Sequence, residues 1–402
     1  MMTRKREIYA DHAAATPVDP RVLRVVRETE KKFWQNPSAI HSGGQGAYQT
    51  LVKARTLISD ILFAHPDEIV FTSGGTESNN LTIAGTLKAF LRNNRERKPT
   101  LLASAIEHPS VIETMRAQSP LADIELIPVD EWGHLNLNAL KKELKKCPIL
   151  LSFSYVNGEI GTLERVRDII KTIRLFRKEK GTPYPYVHID ATQGTNVFPI
   201  QVNKLGIDLM TLDGAKIYGP RGSGLLYVRR EVKIEPIIYG GGQEMGLRSG
   251  TENLPAIVGL AKAIEISQPF ASKEFKRLQE IQRKFLRLLK KNFPRAAING
   301  PVREGERHPG NVNVCFPGMD SEQAVLILDR LGIKISSSSS CQSLAERSNS
   351  YVVSNLGKDK CALSSLRFSF GRQNTEKDLA AIISSLKKAV SGATAKHLSL
   401  GN

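Results

Sequence analysis

The sequence predicts an α/β fold, a mostly parallel, doubly wound sheet joined to a smaller α+β part, and three observations carry that prediction. The chain has 402 residues, more than a single compact core usually holds. From about residue 60 to 230, short β-rich runs alternate with helical segments, as strand, crossover helix and parallel strand would. Beyond about residue 260 that alternation gives way to two helical stretches, two separate strand runs and a closing helix.

In chain order, the first strand is EIVFTS (68–73), and a helix follows from Glu77. TLLASAIE (100–107), IELIPVD (124–130) and ILLSFSYV (149–156) are the next strands, then a helix near 164–179. YVHID (186–190), DLMTLDG (208–214) and GLLYV (224–228) complete the sheet. Loops at such strand ends are where an open α/β sheet carries its chemistry. In 274–291 Phe275, Leu278, Ile281, Phe285 and Leu288 recur at helical spacing and leave Lys and Arg outside, so the charge there belongs to a solvated helix face. NVNVCF (311–316) and SSLRFSF (364–370) are strands of the smaller part; the serine run SSSSSCQS (336–343) looks like linker with one cysteine in it; the last dozen residues are a loose tail. No solenoid-like repeat occurs.

Composition narrows the function classes. Hydrophobic residues are 41% and charged residues 24%, the balance of a folded globular protein rather than a disordered one. No run approaches the roughly 18 apolar residues that cross a bilayer, and MMTRKREIYADHAAATP lacks a signal peptide's apolar core, so the expected location is the cytoplasm. The four cysteines, Cys147, Cys315, Cys341 and Cys361, form no CxxC pair; this sparse usage suits a reducing compartment and argues against zinc and against a disulfide framework. The formal charge of +17, from 57 basic and 40 acidic residues, would attract nucleic acid, acidic proteins or anionic cofactors alike. No recognisable nucleic-acid module accompanies it.

Three constellations could carry chemistry. Ser73-Gly74-Gly75-Thr76-Glu77 lies between a strand and a helix, where backbone N–H groups and the helix N-terminus can hold a phosphate; the same residues also simply cap helices. Asp190 closes a strand, placed either to pair with a protonated ring nitrogen of a cofactor or to act as an ordinary N-cap. Lys216 sits among glycines in DGAKIYGPRG (213–222), where desolvation would lower its pKa and let it form an imine with a carbonyl cofactor, against the alternative of a plain surface lysine. Their order, phosphate-type loop, strand-end acid, then a lysine 26 positions after Asp190, favours the chemical readings over the ordinary ones.

With "FTSGGTES", "EHPSV", "VNGEIGT", "HIDATQ", "GAKIYGPRG", "GGGQEMGLRSGT", "SSSSSC" and "SSLRFSFGR" in this order, the chain resembles the cysteine desulfurases, pyridoxal-phosphate enzymes of the class V aminotransferase group, over nearly its whole length. The resemblance implies the type I pyridoxal-phosphate fold, with a large cofactor-binding domain at 17–262 and a small domain made of 1–16 and 263–402. It implies Lys216 as the Schiff-base lysine, Asp190 on the pyridinium nitrogen, His108 stacked on the ring and moving protons, and Gln193 near the phenolic oxygen. Gly75 and Thr76 match phosphate contacts, and Thr251 matches a threonine that reaches the phosphate from the other subunit, hence a homodimer. Arg367 matches the clamp on the substrate's carboxylate, and Asn36 is placed near the same group. Cys341 matches the nucleophile: its thiolate takes sulfur from L-cysteine, releases L-alanine and passes the persulfide to an acceptor protein, an iron–sulfur scaffold or a tRNA-thiolation protein. On this reading the serine run is a mobile loop that carries Cys341. The other cysteines, Cys147, Cys315 and Cys361, are read as structural or incidental.

The pattern is departed from at several positions. Gly158 replaces the second Asn of an Asn-Asn-Glu motif, Asp213 and Ala215 replace a Ser and a His that bind the phosphate, and Gln243 replaces a His. An ionised Asp213 facing a phosphate would repel it, so its side chain is expected to turn away or to be compensated by a cation. The cofactor is still expected to bind, less tightly than in relatives. A related class V reaction, such as selenocysteine lysis or desulfination, and a degenerate non-catalytic partner in sulfur transfer are the competing readings.

Overall fold

The computed structural model describes residues 7–94, 96–337 and 349–394. In chain order the strands are β1 (Ile8–Tyr9), β2 (Ile69–Thr72), β3 (Thr100–Ser104), β4 (Asp123–Ile127), β5 (Leu150–Ser154), β6 (Tyr186–Asp190), β7 (Leu209–Asp213), β8 (Gly224–Val228), β9 (Ala297–Asn299), β10 (Asn311–Cys315), β11 (Ile333–Lys334), β12 (Ser336–Ser337) and β13 (Ser365–Ser369). Seven of them form one sheet in the order β2-β8-β7-β6-β5-β3-β4. β7, β6, β5, β3 and β4 run parallel, while β8 is antiparallel to both its neighbours. Every strand run read from the sequence between 60 and 230 is found in this sheet.

The sheet is wound on both faces because its strands are apolar on both sides. Phe71, Leu102, Leu151 and Leu225 enter one core with the helices Ser42–Leu62, Val166–Lys180 and Leu254–Ser267. Their neighbours Val70, Leu101, Leu150 and Leu226 enter a second core with the helix Gly75–Asn93. Successive strand residues point to opposite faces, so each Val-Phe or Leu-Leu pair serves two cores at once.

A third core surrounds the sheet β12-β13-β10-β9 and takes in Ile8 and Ala10 from the start of the chain as well as Leu278, Phe285, Val312, Phe368 and Leu386. β1 pairs with β11, which fastens the N-terminal residues to this part. In the helix Ala271–Asn292 the buried apolar residues are Ala271, Leu278, Ile281, Phe285 and Leu289. Its basic face is laced with ion pairs, Arg277 to Glu274 and Arg283 to both Glu280 and Glu304. Phe285 is fully buried between Phe368 and Phe370, with edge-on ring contacts at 5.0 and 5.3 Å between centroids.

Two expectations are corrected here. Cys315 and Cys361, read as structural or incidental in a chain whose sparse cysteines argued against a disulfide framework, form a disulfide with a Cα–Cα separation of 5.4 Å. The cause is strand pairing: Cys315 ends β10 opposite Ser365, the first residue of β13, and Cys361 lies in the turn just before β13. The serine run is also not all linker. Ser336 and Ser337 are strand β12, paired with Leu366 and Arg367 of β13. The remainder of the run, Cys341 included, lies outside the described residues, as does the C-terminal tail from residue 395. No helix among the described residues is long and apolar enough to cross a membrane.

Replacing Phe285 by Ala should destabilise the smaller part by about 3–5 kcal/mol, the cost of emptying a ring-sized site in a closed core. Urea denaturation followed by far-UV circular dichroism would register it as a fall in the midpoint, and an unchanged midpoint would show that the aromatic cluster relaxes into the void.

Candidate functional site

Because β7, β6, β5 and β3 are adjacent and parallel, their carboxyl ends lie side by side, and each delivers a polar residue to one edge of the sheet. Asp213 closes β7, Asp190 closes β6, Ser154 closes β5, and the chain leaving β3 carries Glu107 and His108. A cavity of about 220 Å3 opens there. Its lining includes Gly75, Thr76, His108, Asp190, Gln193, Lys216 and Arg367, seven residues taken from five separated stretches of sequence.

Asp190 is held rigidly. Asn79 Nδ2 donates to its Oδ2 at 2.8 Å and the Thr192 N–H donates to its Oδ1 at 2.9 Å. Asn79 is one helical turn beyond Gly75 and so shares its face of the helix. His108 N-caps the helix Pro109–Ala117, its Nδ1 accepting from the Ser110 N–H at 3.1 Å. Nδ1 is therefore an acceptor, and the neutral ring carries its proton on Nε2. Lys216 Nζ donates to the Ala14 carbonyl, and Gln193 Nε2 donates to the Ala13 carbonyl at 2.9 Å, so both reach toward the N-terminal segment.

Arg367 comes from the other sheet. It stands in β13, 3% exposed, with Nη2 donating to Asp11 Oδ1 at 2.9 Å and Nη1 to the Gly158 carbonyl at 3.3 Å. At Gly158 a Cβ would lie 3.3 Å from Gln193 Cγ, so a side chain there would require the Gln193 side chain to give by a few tenths of an ångström.

Two predicted residues are not brought into this cavity. Asn36 is exposed, its Oδ1 accepting from the Ser38 N–H at 2.8 Å in a local turn, beside the exposed apolar Trp34 and Ile40. Thr251 lines a separate depression with Ser73, Arg248 and Gly250. Gln243, in that same region, accepts the Gly250 N–H at 2.9 Å.

The expected behaviour of Asp213 is corrected. Its side chain does not turn away from the glycine loop, and backbone groups rather than a cation hold it: Oδ2 accepts the Gly75 N–H at 3.0 Å and Oδ1 the Ala215 N–H at 2.8 Å. A helix N-terminus with unpaired N–H groups attracts a carboxylate as it would a phosphate, and Gly74, the N-cap of this helix, has no side chain to compete.

Several residues of the site are absent from the sequence reading. Glu107 is buried, accepting from the Ser154 N–H and Oγ, each at 2.8 Å. Burial, and then the neighbouring Asp190 carboxylate, push its pKa up to about 8. Tyr351 donates its hydroxyl to the Glu107 carbonyl, and Ser350 donates to Glu159, so the chain at 350–352 closes one wall of the cavity. Asp11 fixes Arg367. Of these only Asn79 had a sequence signal, its i+4 spacing from Gly75; the others meet across long separations.

The comparisons agree with one another. Residues 8–382 match the family described as Aminotransferase class-V. A cysteine desulfurase IscS of Dictyoglomus turgidum is 37% identical over 377 residues, covering 93% of this chain and 92% of that protein. A solved NifS-like protein superposes with a TM-score of 0.85 at 32% identity, over 96% of this chain and 100% of that one. A further structure, SspA in complex with cysteine, gives a TM-score of 0.74 at 30% identity over 90% and 98% of the two chains. The architecture is accordingly the type I pyridoxal-phosphate fold.

The donor set fits that cofactor. Asp190 is a fixed strand-end carboxylate that suits a protonated ring nitrogen, Lys216 in the turn after β7 suits the carbonyl, and Thr192 Oγ1 is a buried hydroxyl with no partner among the described residues. At the phosphate end Thr76 remains, while the Gly75 N–H is taken by Asp213.

Glu107 should leave a mark on stability. Its folded pKa, about 8, exceeds the ordinary 4.5, so the native state holds a proton that the unfolded chain releases, and the associated stability is lost as pH rises from about 5 to about 8. Glu107→Gln imitates the protonated acid and should flatten this fall, by up to about 1.4 kcal/mol per pH unit. Urea titrations of both proteins across that range, without added cofactor, measure the difference; parallel curves would mean that Glu107 is ionised in the folded protein.

Proposed function

We propose, from a chain that belongs to the class V aminotransferase family among the cysteine desulfurases, that it is a pyridoxal-phosphate enzyme converting L-cysteine to L-alanine and transferring the sulfur to Cys341. The observation that carries this is the meeting in one cavity of Lys216, Asp190 and His108 with Arg367 from the opposite sheet. An α-amino acid needs a cation for its carboxylate, and Arg367 offers planar, paired donors at the cavity wall. That SspA has been captured with cysteine supports cysteine as the substrate.

When bound, the cofactor supplies an electron sink that makes the substrate's α-proton labile. Lys216 Nζ would hold the carbonyl and then, released, accept the α-proton. Asp190, fixed by Asn79 and the Thr192 N–H, would face the ring nitrogen and hold a proton there. His108 presents Nε2, the nitrogen opposite its Ser110 contact, for proton movement at the leaving sulfur. Asp11 and the Gly158 carbonyl orient the Arg367 guanidinium. The thiolate of Cys341 would attack the substrate's sulfur as the Cβ–S bond breaks, the carbon keeping the bonding pair and taking up a proton on the way to alanine; a thiolate is nucleophilic enough for this and can pass the persulfide onward to an acceptor thiol. An acceptor protein of iron–sulfur assembly or tRNA thiolation completes the reading.

A homodimer belongs to the same proposal. Thr251 stands outside its own chain's cavity, as a residue serving a second copy would. Trp34 and Ile40 expose 76% and 92% of their surface, apolar area that a second copy would cover.

Incubation with pyridoxal phosphate and L-cysteine should yield alanine and a persulfide on Cys341, detected by mass spectrometry. Cys341→Ala should lower sulfide release by about 10³-fold or more, as loss of a nucleophile does, with covalent attachment of the cofactor at Lys216 retained. Undiminished release would reassign the nucleophile. Lys216→Ala should abolish both attachment and alanine formation; alanine production by that variant would overturn the proposal.

A further inference from the structure

The first N–H of the helix Gly75–Asn93 is already engaged by a carboxylate from another strand. Asp213 Oδ2 accepts it at 3.0 Å, and a Cβ at Gly74 or Gly75 would come within 3.3 or 3.4 Å of that same oxygen. Both glycines thus lie against the carboxylate, and Gly74 also has a φ of 153° that favours glycine. Asp213 is doubly held, since its other oxygen accepts the Ala215 N–H at 2.8 Å at the start of the turn that carries Lys216. Gly75, Thr76, Asp213 and Lys216 all line the one cavity. A phosphoryl group brought to this end would seek the N–H that Asp213 occupies, and would bring its two negative charges against a third.

We propose that Asp213 is an internal ligand of this helix N-terminus and the residue that sets the chain's selectivity for phosphorylated over unphosphorylated aldehyde cofactors. A phosphoryl group binds only as Asp213 gives up the Gly75 N–H, so the phosphate adds little to affinity, and the aldehyde and ring contacts carry most of it. This rests on the pyridoxal-phosphate reading above. It differs from a generally loose site, because the penalty falls on the phosphate alone.

The test compares wild-type protein, Asp213→Ser and Asp213→Asn with two ligands, pyridoxal phosphate and pyridoxal. Dissociation constants come from fluorescence titration, attachment at Lys216 from borohydride reduction and mass spectrometry, and folding from circular dichroism. Ser retains an oxygen for the Ala215 N–H, and Asn retains the size, so each variant keeps one part of the original contact. Removing a like charge is expected to tighten pyridoxal phosphate about 10- to 100-fold, since like-charge juxtaposition costs several kcal/mol, and to change pyridoxal less than about twofold. The wild type supplies a readout independent of either variant: pyridoxal phosphate should bind less than about tenfold more tightly than pyridoxal. Unchanged or weaker binding of pyridoxal phosphate by both folded variants overturns the proposal, as does equal tightening of both ligands, or a wild type that favours the phosphorylated ligand by several hundredfold. Attachment of neither aldehyde at Lys216 in any of the three proteins overturns this proposal together with the cofactor reading, whereas attachment without a phosphate-specific effect leaves that reading standing.

Discussion

The uninterrupted parallel pairing of β3, β5, β6 and β7 governs this molecule, because it turns four distant chain segments out at the same edge of the sheet. Parallel strands need long crossovers, and the helices that make them cover both faces with apolar side chains. Polar groups gather at the strand ends, apart from the mutually hydrogen-bonded Ser152, His188 and Thr211 inside the sheet. Asp190, Asp213, Ser154, Glu107 and His108 meet as a consequence of topology, without any closeness in sequence.

That convergence creates an electrostatic difficulty, for the cavity gathers several carboxyl groups. Each accepts hydrogen bonds, including at least one from a backbone N–H. Asp190 is stabilised by an amide and a backbone N–H, and Asp213 by two backbone N–H groups, one at a helix N-terminus. Glu107 also accepts two hydrogen bonds, from the Ser154 N–H and hydroxyl, but its burial and the neighbouring Asp190 carboxylate push its pKa up to about 8.

The second sheet contributes through one arginine. Arg367 reaches the cavity from β13, whose neighbours on either side are β12 and β10, and is oriented by Asp11, a residue more than 350 positions earlier in the chain. The N-terminal segment is the link: β1 pairs with β11, while the carbonyls of Ala13 and Ala14 receive Gln193 and Lys216. The disulfide from Cys315 to Cys361 closes the turn that precedes β13.

The strands and their alternation with helices were legible from the chain alone, because local apolar patterns are properties of neighbouring residues; motif order singled out Gly75, Thr76, Asp190 and Lys216, the family resemblance added His108, Gln193 and Arg367, and all seven line one cavity. The failures are of another kind. Asp213 was expected to turn away from a phosphate or to be compensated by a cation, yet the N–H groups it binds belong to Gly75 and Ala215, and only pairing of β7 with β8 and β8 with β2 brings the first of these close. Cys315 and Cys361 gave no spacing signal, since a strand register joins them. Glu107 looked like the residue before a histidine until burial beside Asp190 altered its protonation. Residue identity settles which groups a chain can offer; which anion holds a given N–H, and which acid keeps its proton, is settled by distances and desolvation that arise only when strands far apart in sequence lie side by side.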